Sequence, residues 1–139
     1  MGKKIVRLDW ALKKILRSKV NFGILEGFLS ELLNDDIKIL NILESESNRQ
    51  YEMDKQNRVD ILVKNQNEEI IIIEFQVDEE YDYFQRMLYG TSKIVTEYIN
   101  KGDDYAKVKK VISVNILFFD LGQGSDYIYH GRTKFIGIH

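Results

Sequence analysis

The chain has 139 residues, 44% hydrophobic and 30% charged, which is an ordinary balance for one globular domain with one core. A formal net charge of -2 at pH 7 argues against a protein that coats polyanions, so any nucleic-acid contact has to be local. Without cysteine there are no disulfides or thiolate zinc sites, and two histidines are too few for a histidine-rich metal cluster. The apolar runs are too short to span a bilayer and the N-terminus lacks an apolar signal core, so we expect a cytoplasmic protein without membrane contact.

The first part of the chain is predicted to form two helices and a strand. Apolar residues at helical spacing predict helices over residues 9–17 and 21–34, and Asn34 is a suitable end for the second. Residues 37–43 then predict a strand at the edge of a sheet. The following residues, 44–57, are polar and charged, which indicates a flexible loop.

Two apolar runs joined by a polar turn predict an antiparallel β-hairpin. Residues 58–63 and 70–76 would form its strands, with the turn at residues 65–68. Because opposed residues of a hairpin are equally distant from its centre, this register sets Asp60 directly opposite Glu74.

Three polar side chains share one face of this otherwise apolar hairpin. Strand side chains alternate between faces, so Asp60, Glu74 and Gln76 lie on the same side, and a sheet with two apolar faces is expected to be covered on both. Opposed carboxylates are destabilising unless neutralised, and a divalent cation is the simplest neutraliser. Carboxylate oxygens suit Mg²⁺ or Mn²⁺, which keep waters that can serve as nucleophiles. The alternative is that each carboxylate pairs with a base such as Arg58 or Arg86.

The second half is predicted to contain a long helix and further strands. Residues 81–100 predict the helix, with Gly102 to stop it and the acidic residues 78–80 at its N-terminus. Its predicted buried stripe consists of Phe84, Met87, Leu88, Val95 and Tyr98. Residues 111–119 are rich in β-branched and aromatic residues with little alternation, which is typical of a central strand buried on both faces. The tail at residues 127–138 predicts one or two more strands. This order indicates an α/β domain with a central mixed sheet flanked by helices.

Several short patterns occur in a fixed order along the chain. They are Asp9 with Lys13 and Lys14, residues 28–33, Arg58-Val59-Asp60, Glu74-Phe75-Gln76, Arg86 to Tyr89 with Ser92, and Gly102 to Tyr105. Together they resemble the PD-(D/E)XK nuclease superfamily over nearly the whole chain, and more closely its Rpn-like branch of recombination-promoting nucleases and transposases. Each pattern alone is weak, and their order and spacing make the resemblance fairly specific.

The resemblance implies a restriction-endonuclease-like core in one domain over residues 1–139, which holds Mg²⁺ or Mn²⁺ and hydrolyses DNA phosphodiesters. It implies that Asp60 and Glu74 are catalytic metal ligands and that Gln76 is catalytic, at a position where the superfamily more often has lysine. A lysine ammonium can offset charge in the transition state, whereas a neutral amide can only hydrogen-bond, so we expect weaker activity. Glu26, on the second predicted helix, is either a third metal ligand or a solvent-facing residue.

Four residues are predicted to bind DNA under this resemblance: Arg58, Arg86, Tyr89 and Ser92. Arg86 would hold a phosphate or the carboxylate of Asp60, and Tyr89 and Ser92 lie one helical turn apart as further phosphate contacts. The alternative is that Arg86 is a surface residue and Tyr89 a packing residue. A homodimer would suit cleavage of both DNA strands, although no interface motif is visible.

Two further departures from the family pattern leave alternatives open. Lys110 stands where members usually have a proline, and many members continue into a variable C-terminal region beyond the last core strand. The chain is thus expected to be a minimal core, a truncated relic or a fragment. The alternative function is a weakened or inactive nuclease-fold module that binds nucleic acid or a protein partner. An unrelated metal-free scaffold would instead have Asp60 and Glu74 pointing apart.

Overall fold

A computed structural model describes residues 8–16, 22–43, 60–99, 102–107, 109–121 and 124–139 of the chain. Its helices and strands are α1 (Leu8–Leu16), α2 (Gly23–Leu33), β1 (Ile39–Ile42), β2 (Ile61–Asn65), β3 (Ile70–Gln76), α3 (Tyr83–Glu97) and β4 (Val111–Leu117). These elements confirm the predicted helices, the first strand and the hairpin. The predicted loop at residues 44–57 lies outside the described residues.

The strands form one mixed sheet in the order β1-β2-β3-β4. Neighbouring strands are antiparallel from β1 to β3, whereas β4 runs parallel to β3. The hairpin register pairs Ile61 with Ile73 and Lys64 with Ile70. The buried Asn65 organises the turn, because its Oδ1 accepts the N–H groups of Asn67 at 3.0 Å and Glu69 at 2.9 Å. This α/β fold with a central mixed sheet and flanking helices is the predicted fold class.

Different helices cover the two faces of the sheet, which confirms the expectation that both are buried. The face covered by α1 and α2 carries the hairpin residues Ile61, Val63, Ile71, Ile73 and Phe75. The face covered by α3 carries Leu62, Ile70 and Ile72, packed with Ile94 of the helix. Burial of these apolar faces stabilises the fold by about 25 cal/mol for each Å² of apolar area removed from water. This burial is the main contribution that holds the helices against the sheet.

Strand β4 differs from its prediction. It forms an edge of the sheet within the described residues instead of a centre, and only Val114 in it is fully buried. Its side chains do alternate: Ile112, Val114 and Ile116 pack on the α1–α2 side, and the polar Ser113 and Asn115 lie between them in sequence. The prediction of a strand buried on both faces gave too little weight to this alternation of polar and apolar residues.

Helix α3 and the tail also differ from their predictions. The helix buries Tyr83 and Ile94, whereas the predicted stripe residues Phe84 and Leu88 are 49% and 70% exposed. The helix is therefore rotated about its axis relative to the prediction, since apolar side chains occupy more than one of its sides. Residues 124–139 form no strand and are exposed. Among the described residues, no helix has the length and apolar character needed to cross a membrane.

Candidate active site

The end of the hairpin that is remote from its turn brings two carboxylates together. The pairing of Ile61 with Ile73, extended by one residue, sets Asp60 opposite Glu74. Oδ2 of Asp60 accepts the backbone N–H of Phe75 at 2.7 Å, and both carboxylate side chains are half-buried. This hydrogen bond fixes the Asp60 carboxylate at the start of β2, beside the residue that follows Glu74.

The face covered by α3 changes from apolar to polar along the same two strands. Near the turn it carries the buried Leu62 and Ile72, and one alternation further it carries Asp60, Glu74 and Gln76. Since side chains two apart on a strand share a face, the carboxylates sit directly at the rim of an apolar core. Such a position makes their charges costly without polar partners.

Strand β4 adds a buried polar contact to this rim. Asn115 pairs with Glu74 in the parallel register, and its Oδ1 accepts a hydrogen bond of 3.0 Å from the Tyr83 hydroxyl. The side-chain amide of Asn115 in turn donates to Oγ of Ser113 at 2.9 Å. Tyr83 is only 1% exposed. A helix residue and an edge strand are thereby joined next to the carboxylates.

The pKa of Tyr83 reports the charges around it. Burial raises the pKa of this hydroxyl above its ordinary value of 10.0, and the negative charges of Glu74, Glu80 and Asp60 raise it further against the opposing charge of Arg86. Tyr83 therefore stays protonated and donates to Asn115. Since the charges of all three carboxylates act on this hydroxyl, the three carboxylates lie on the same side of the molecule as Tyr83.

Gln76, Glu80 and Arg86 form a second polar group at this rim. Nε2 of Gln76 donates to Oε1 of Glu80 at 3.0 Å and to the backbone oxygen of Asp78 at 3.1 Å. Nη1 of Arg86 donates to both carboxylate oxygens of Glu80, at 2.8 and 2.9 Å. Glu80 is therefore shared between the strand residue and the helix residue.

Arg86 is held as a partly buried cation on the inner side of α3. Burial lowers its pKa, but the hydrogen bond that it donates to Glu80 and the charge of Glu74 outweigh burial and leave the pKa above its ordinary value. Its guanidinium carbon lies 5.8 Å from the ring centre of Tyr83, and its buried Nε has no hydrogen-bond partner within the described part of the chain. The ion pair with Glu80 is thus the main compensation for burying this charge.

Glu26 is not brought to the other two carboxylates. Its Oε1 accepts the backbone N–H of Ile39 at 2.9 Å, and Ile39 pairs with Asn65 at the turn end of the hairpin. Asp60 lies five residues from Asn65, which corresponds to about 16 Å along a strand. The carboxylate of Glu26 instead links α2 to the first strand, and we leave it out of the site.

Of the four predicted DNA-binding residues, the structure describes three, and these three differ in exposure. Arg58 lies outside the described residues, and Arg86 points inward to Glu80. Tyr89 and Ser92 follow Arg86 at intervals of three residues on α3 and are exposed, and Oγ of Ser92 donates to the backbone oxygen of Leu88 at 2.8 Å. The structure gives Arg86 an ion pair with Glu80, and its contact with a DNA phosphate or with Asp60 stays a prediction.

Sequence reasoning missed Glu80, Tyr83 and Asn115 as members of the site. Asn115 gave a usable signal, since it is a polar residue within an otherwise apolar strand run. Glu80 belongs to an acidic run that indicated a helix N-terminus, but α3 begins later, at Tyr83. Spacing gave no indication that Tyr83 and Arg86 face inward together, because apolar residues occupy several sides of this helix.

The oxygen-rich donor set suits a hard divalent cation in its chemistry. Among the residues that the structure describes, no group of three or more His, Cys, Asp or Glu side chains is arranged to hold a metal. Mg²⁺ is commonly bound by one or two carboxylates, with waters and substrate phosphates completing its coordination. Asp60 and Glu74 are two carboxylates that could hold such an ion, and Gln76 follows on the same face.

Comparison with known proteins gives one match. A family model described as PD-(D/E)XK nuclease family transposase matches residues 6–136, which is nearly the whole chain. No curated protein and no solved structure matches the chain.

Proposed function

Because the chain belongs to the PD-(D/E)XK nuclease family transposases, we propose that it is a divalent-metal-dependent DNA endonuclease that acts in recombination or on mobile elements. The observation that carries this proposal is the pair formed by Asp60 and Glu74. They are opposed at the end of the hairpin, on a face whose buried residues nearer the turn, Leu62 and Ile72, are apolar. The restriction-endonuclease-like core, with its mixed sheet and flanking helices, is the scaffold on which these carboxylates meet.

Asp60 and Glu74 would hold Mg²⁺ or Mn²⁺ in this proposal. Their carboxylate oxygens have the chemistry that these ions prefer, and the hydrogen bond from the Phe75 N–H keeps Asp60 oriented toward the end of β3. When bound, such an ion supplies Lewis-acid stabilisation of the scissile phosphate and lowers the pKa of a bound water.

Gln76 would position the attacking water. It shares the face of Glu74 two residues earlier, so its side chain reaches the same rim of the core. In the hydrolysis, the water oxygen bonds to phosphorus as one phosphorus–oxygen ester bond breaks. The leaving oxygen takes up a proton, and the water loses one to solvent. Gln76 exchanges no proton in this reaction and acts only through hydrogen bonding.

DNA is the proposed substrate, and the proposed contacts are to its phosphate backbone. Tyr89 and Ser92 are exposed and accessible to a ligand, whereas Arg86 would have to leave Glu80 before it could hold a phosphate. Arg58 remains a proposed contact from the sequence. A homodimer, which would cut both strands, also remains a prediction from the sequence.

The test is cleavage of supercoiled plasmid with Mg²⁺, Mn²⁺ or EDTA, comparing the wild-type chain with Asp60→Ala and Glu74→Ala. We expect metal-dependent nicking that both substitutions abolish. Glu31→Ala, which removes an exposed carboxylate on α2, is the matched control and should cut like the wild type. Cleavage that persists in EDTA, or in both site variants, would contradict the proposal.

The alternative is a weakened or inactive nuclease-fold module that binds nucleic acid or a protein partner. The observation that favours it is Gln76, since the amide end of this side chain is bound to Glu80 and Asp78. A folded wild-type chain that binds DNA but cuts it with neither ion would support this second function.

A further inference from the structure

We propose that Glu80, itself held by Arg86, is a positioning residue that fixes the Gln76 side chain with its carbonyl oxygen toward the attacking water. This inference rests on the proposed nuclease function and concerns the residue at the position where the superfamily more often has lysine. Glu80 lies between β3 and α3, outside every sequence pattern that supported the family resemblance.

The orientation of the Gln76 amide follows from the chemistry of its partners. One end of the side chain contacts Oε1 of Glu80 at 3.0 Å and the backbone oxygen of Asp78 at 3.1 Å. Both partners are oxygens that only accept hydrogen bonds, so the end that contacts them has to be the NH₂ group. A flipped amide would place its own oxygen against these two acceptor oxygens. Oε1 of Gln76 is consequently the atom that remains available for a water.

Arg86 gives Glu80 the rigidity that this role needs. Its Nη1 contacts both carboxylate oxygens of Glu80, so the carboxylate cannot rotate away from Gln76 without breaking a charge-assisted pair. Arg86 is partly buried on α3, and its guanidinium lies near the ring of the buried Tyr83. The chain of contacts therefore runs from the fixed inner side of the helix to the strand residue beside Glu74.

This arrangement changes the role assigned to Gln76. A lysine at this position donates hydrogen bonds and carries charge, so it can stabilise the phosphate directly. Gln76 cannot replace it as a donor, since both of its N–H groups are directed to Glu80 and Asp78. It can instead accept a hydrogen bond from the attacking water and fix the direction of its lone pair. Glu80 thus determines which end of Gln76 meets the substrate.

The first measurement follows the side-chain NH₂ signals of Gln76 in ¹H–¹⁵N NMR spectra, assigned as the pair that is lost in Gln76→Ala. Glu80→Met keeps the length of the side chain and removes both acceptor oxygens. We expect it to shift this pair and to increase the temperature dependence of its proton shifts. Glu79→Met changes an exposed neighbour with the same charge and should leave the pair unchanged.

The second measurement is a double-mutant cycle on plasmid cleavage with Mn²⁺. Glu80→Met should lower kcat by about 10- to 100-fold, as is typical when an outer residue that orients a metal site is lost. It should have no further effect in the Gln76→Ala background, because its action passes through Gln76. Mn²⁺ affinity, measured by titration calorimetry, should be the same in Glu80→Met as in the wild type, since Asp60 and Glu74 are intact.

Two results would overturn the inference. One is an unchanged Gln76 NH₂ pair in Glu80→Met, and the other is an equal loss of kcat with and without Gln76. If Glu80→Met unfolds because Arg86 is left as a buried unpaired charge, the double variant Glu80→Met, Arg86→Met removes that charge and repeats the comparison. A wild type that neither binds Mn²⁺ nor cuts DNA would refute the proposed function, and the NMR comparison would still decide whether Glu80 orients Gln76.

Discussion

The two faces of the central hairpin differ although the same two strands build both. The face covered by α1 and α2 is apolar along its whole length, from Val63 and Ile71 near the turn to Ile61, Ile73 and Phe75 at the other end. The face covered by α3 is apolar only near the turn and then presents Asp60, Glu74 and Gln76.

This difference shows how one hairpin can serve both stability and chemistry. The continuous apolar face packs the strands against two helices. The backbone that carries the side chains of the opposite face is therefore fixed in position. The site can then hold like charges in close proximity because their destabilising effect is small compared with the packing on the other face. Under the proposed function, adjacent residues along β3 therefore serve stability and metal binding in turn.

The largest expected contrast is between Ile73 and Glu74, which are neighbours on opposite faces. Ile73→Ala should lower the free energy of unfolding by about 2–5 kcal/mol, because Ile73 is fully buried and a cavity would remain. Glu74→Gln should change this free energy by no more than about 1 kcal/mol, since the charge it removes repels Asp60 but attracts Arg86. Urea unfolding measures both values.

Mn²⁺ titration of the same two variants completes the comparison. Glu74→Gln should lose Mn²⁺ binding, and folded Ile73→Ala, studied well below its melting temperature, should retain it. Loss of binding in Ile73→Ala, or a large loss of stability in Glu74→Gln, would show that the two faces do not divide the tasks in this way.

A smaller effect separates two roles of Asp60, which are the observed hydrogen bond to the Phe75 N–H and the proposed metal binding. Asp60→Ala leaves the N–H of the buried Phe75 without its acceptor, which should cost about 1–3 kcal/mol of unfolding free energy. Asp60→Asn keeps a side-chain oxygen for this N–H and should cost less. Both variants should lose Mn²⁺ binding and DNA cleavage. Equal stabilities of the two variants would mean that the hydrogen bond contributes little.

The smallest effect concerns Tyr83, on the α3 side. Tyr83→Phe removes the hydrogen bond to Asn115 and should cost about 0.5–1.5 kcal/mol at pH 7. Burial, together with nearby carboxylates, raises the pKa of this hydroxyl in the folded state, so the neutral form is favoured there. The stability it contributes is therefore present below about pH 10 and is lost as pH rises further, because the unfolded chain ionises first.

Chemical denaturation at pH 7 and at about pH 11 tests this dependence. The difference in stability between wild type and Tyr83→Phe should narrow at the higher pH. Tyr105→Phe removes an exposed hydroxyl and should match the wild type at pH 7. A difference for Tyr83→Phe that grows with pH would have the wrong sign and would contradict the raised pKa.

Local patterns predicted the hairpin well because its signal is short-ranged. A polar turn between two apolar runs determines the register, and the register sets Asp60 opposite Glu74. The helices α1 and α2 were predicted for a similar reason, since their apolar spacing has a clear period. The roles of Asp60, Glu74 and Gln76 in metal binding and catalysis remain predictions of the sequence and proposals here.

Other features depended on contacts between distant residues. Glu26 and Arg86 were predicted as site residues from their positions in a pattern, but the structure gives them Ile39 and Glu80 as partners. Helix α3 has apolar residues on several sides, so its rotation is decided by which of them fits the sheet. Which side of β4 is buried depends in the same way on the place of this strand in the sheet.

The sequence by itself determined the fold class, the family, and the opposition of two carboxylates, because each depends on spacing along the chain. Tertiary structure alone decided that Glu80 contacts both Gln76 and Arg86, and that Tyr83 and Asn115 meet beside Glu74. These contacts join β3, β4 and α3, and no local period relates residues on separate elements. They form only when α3 packs on the sheet and buries Ile94 against Leu62 and Ile72.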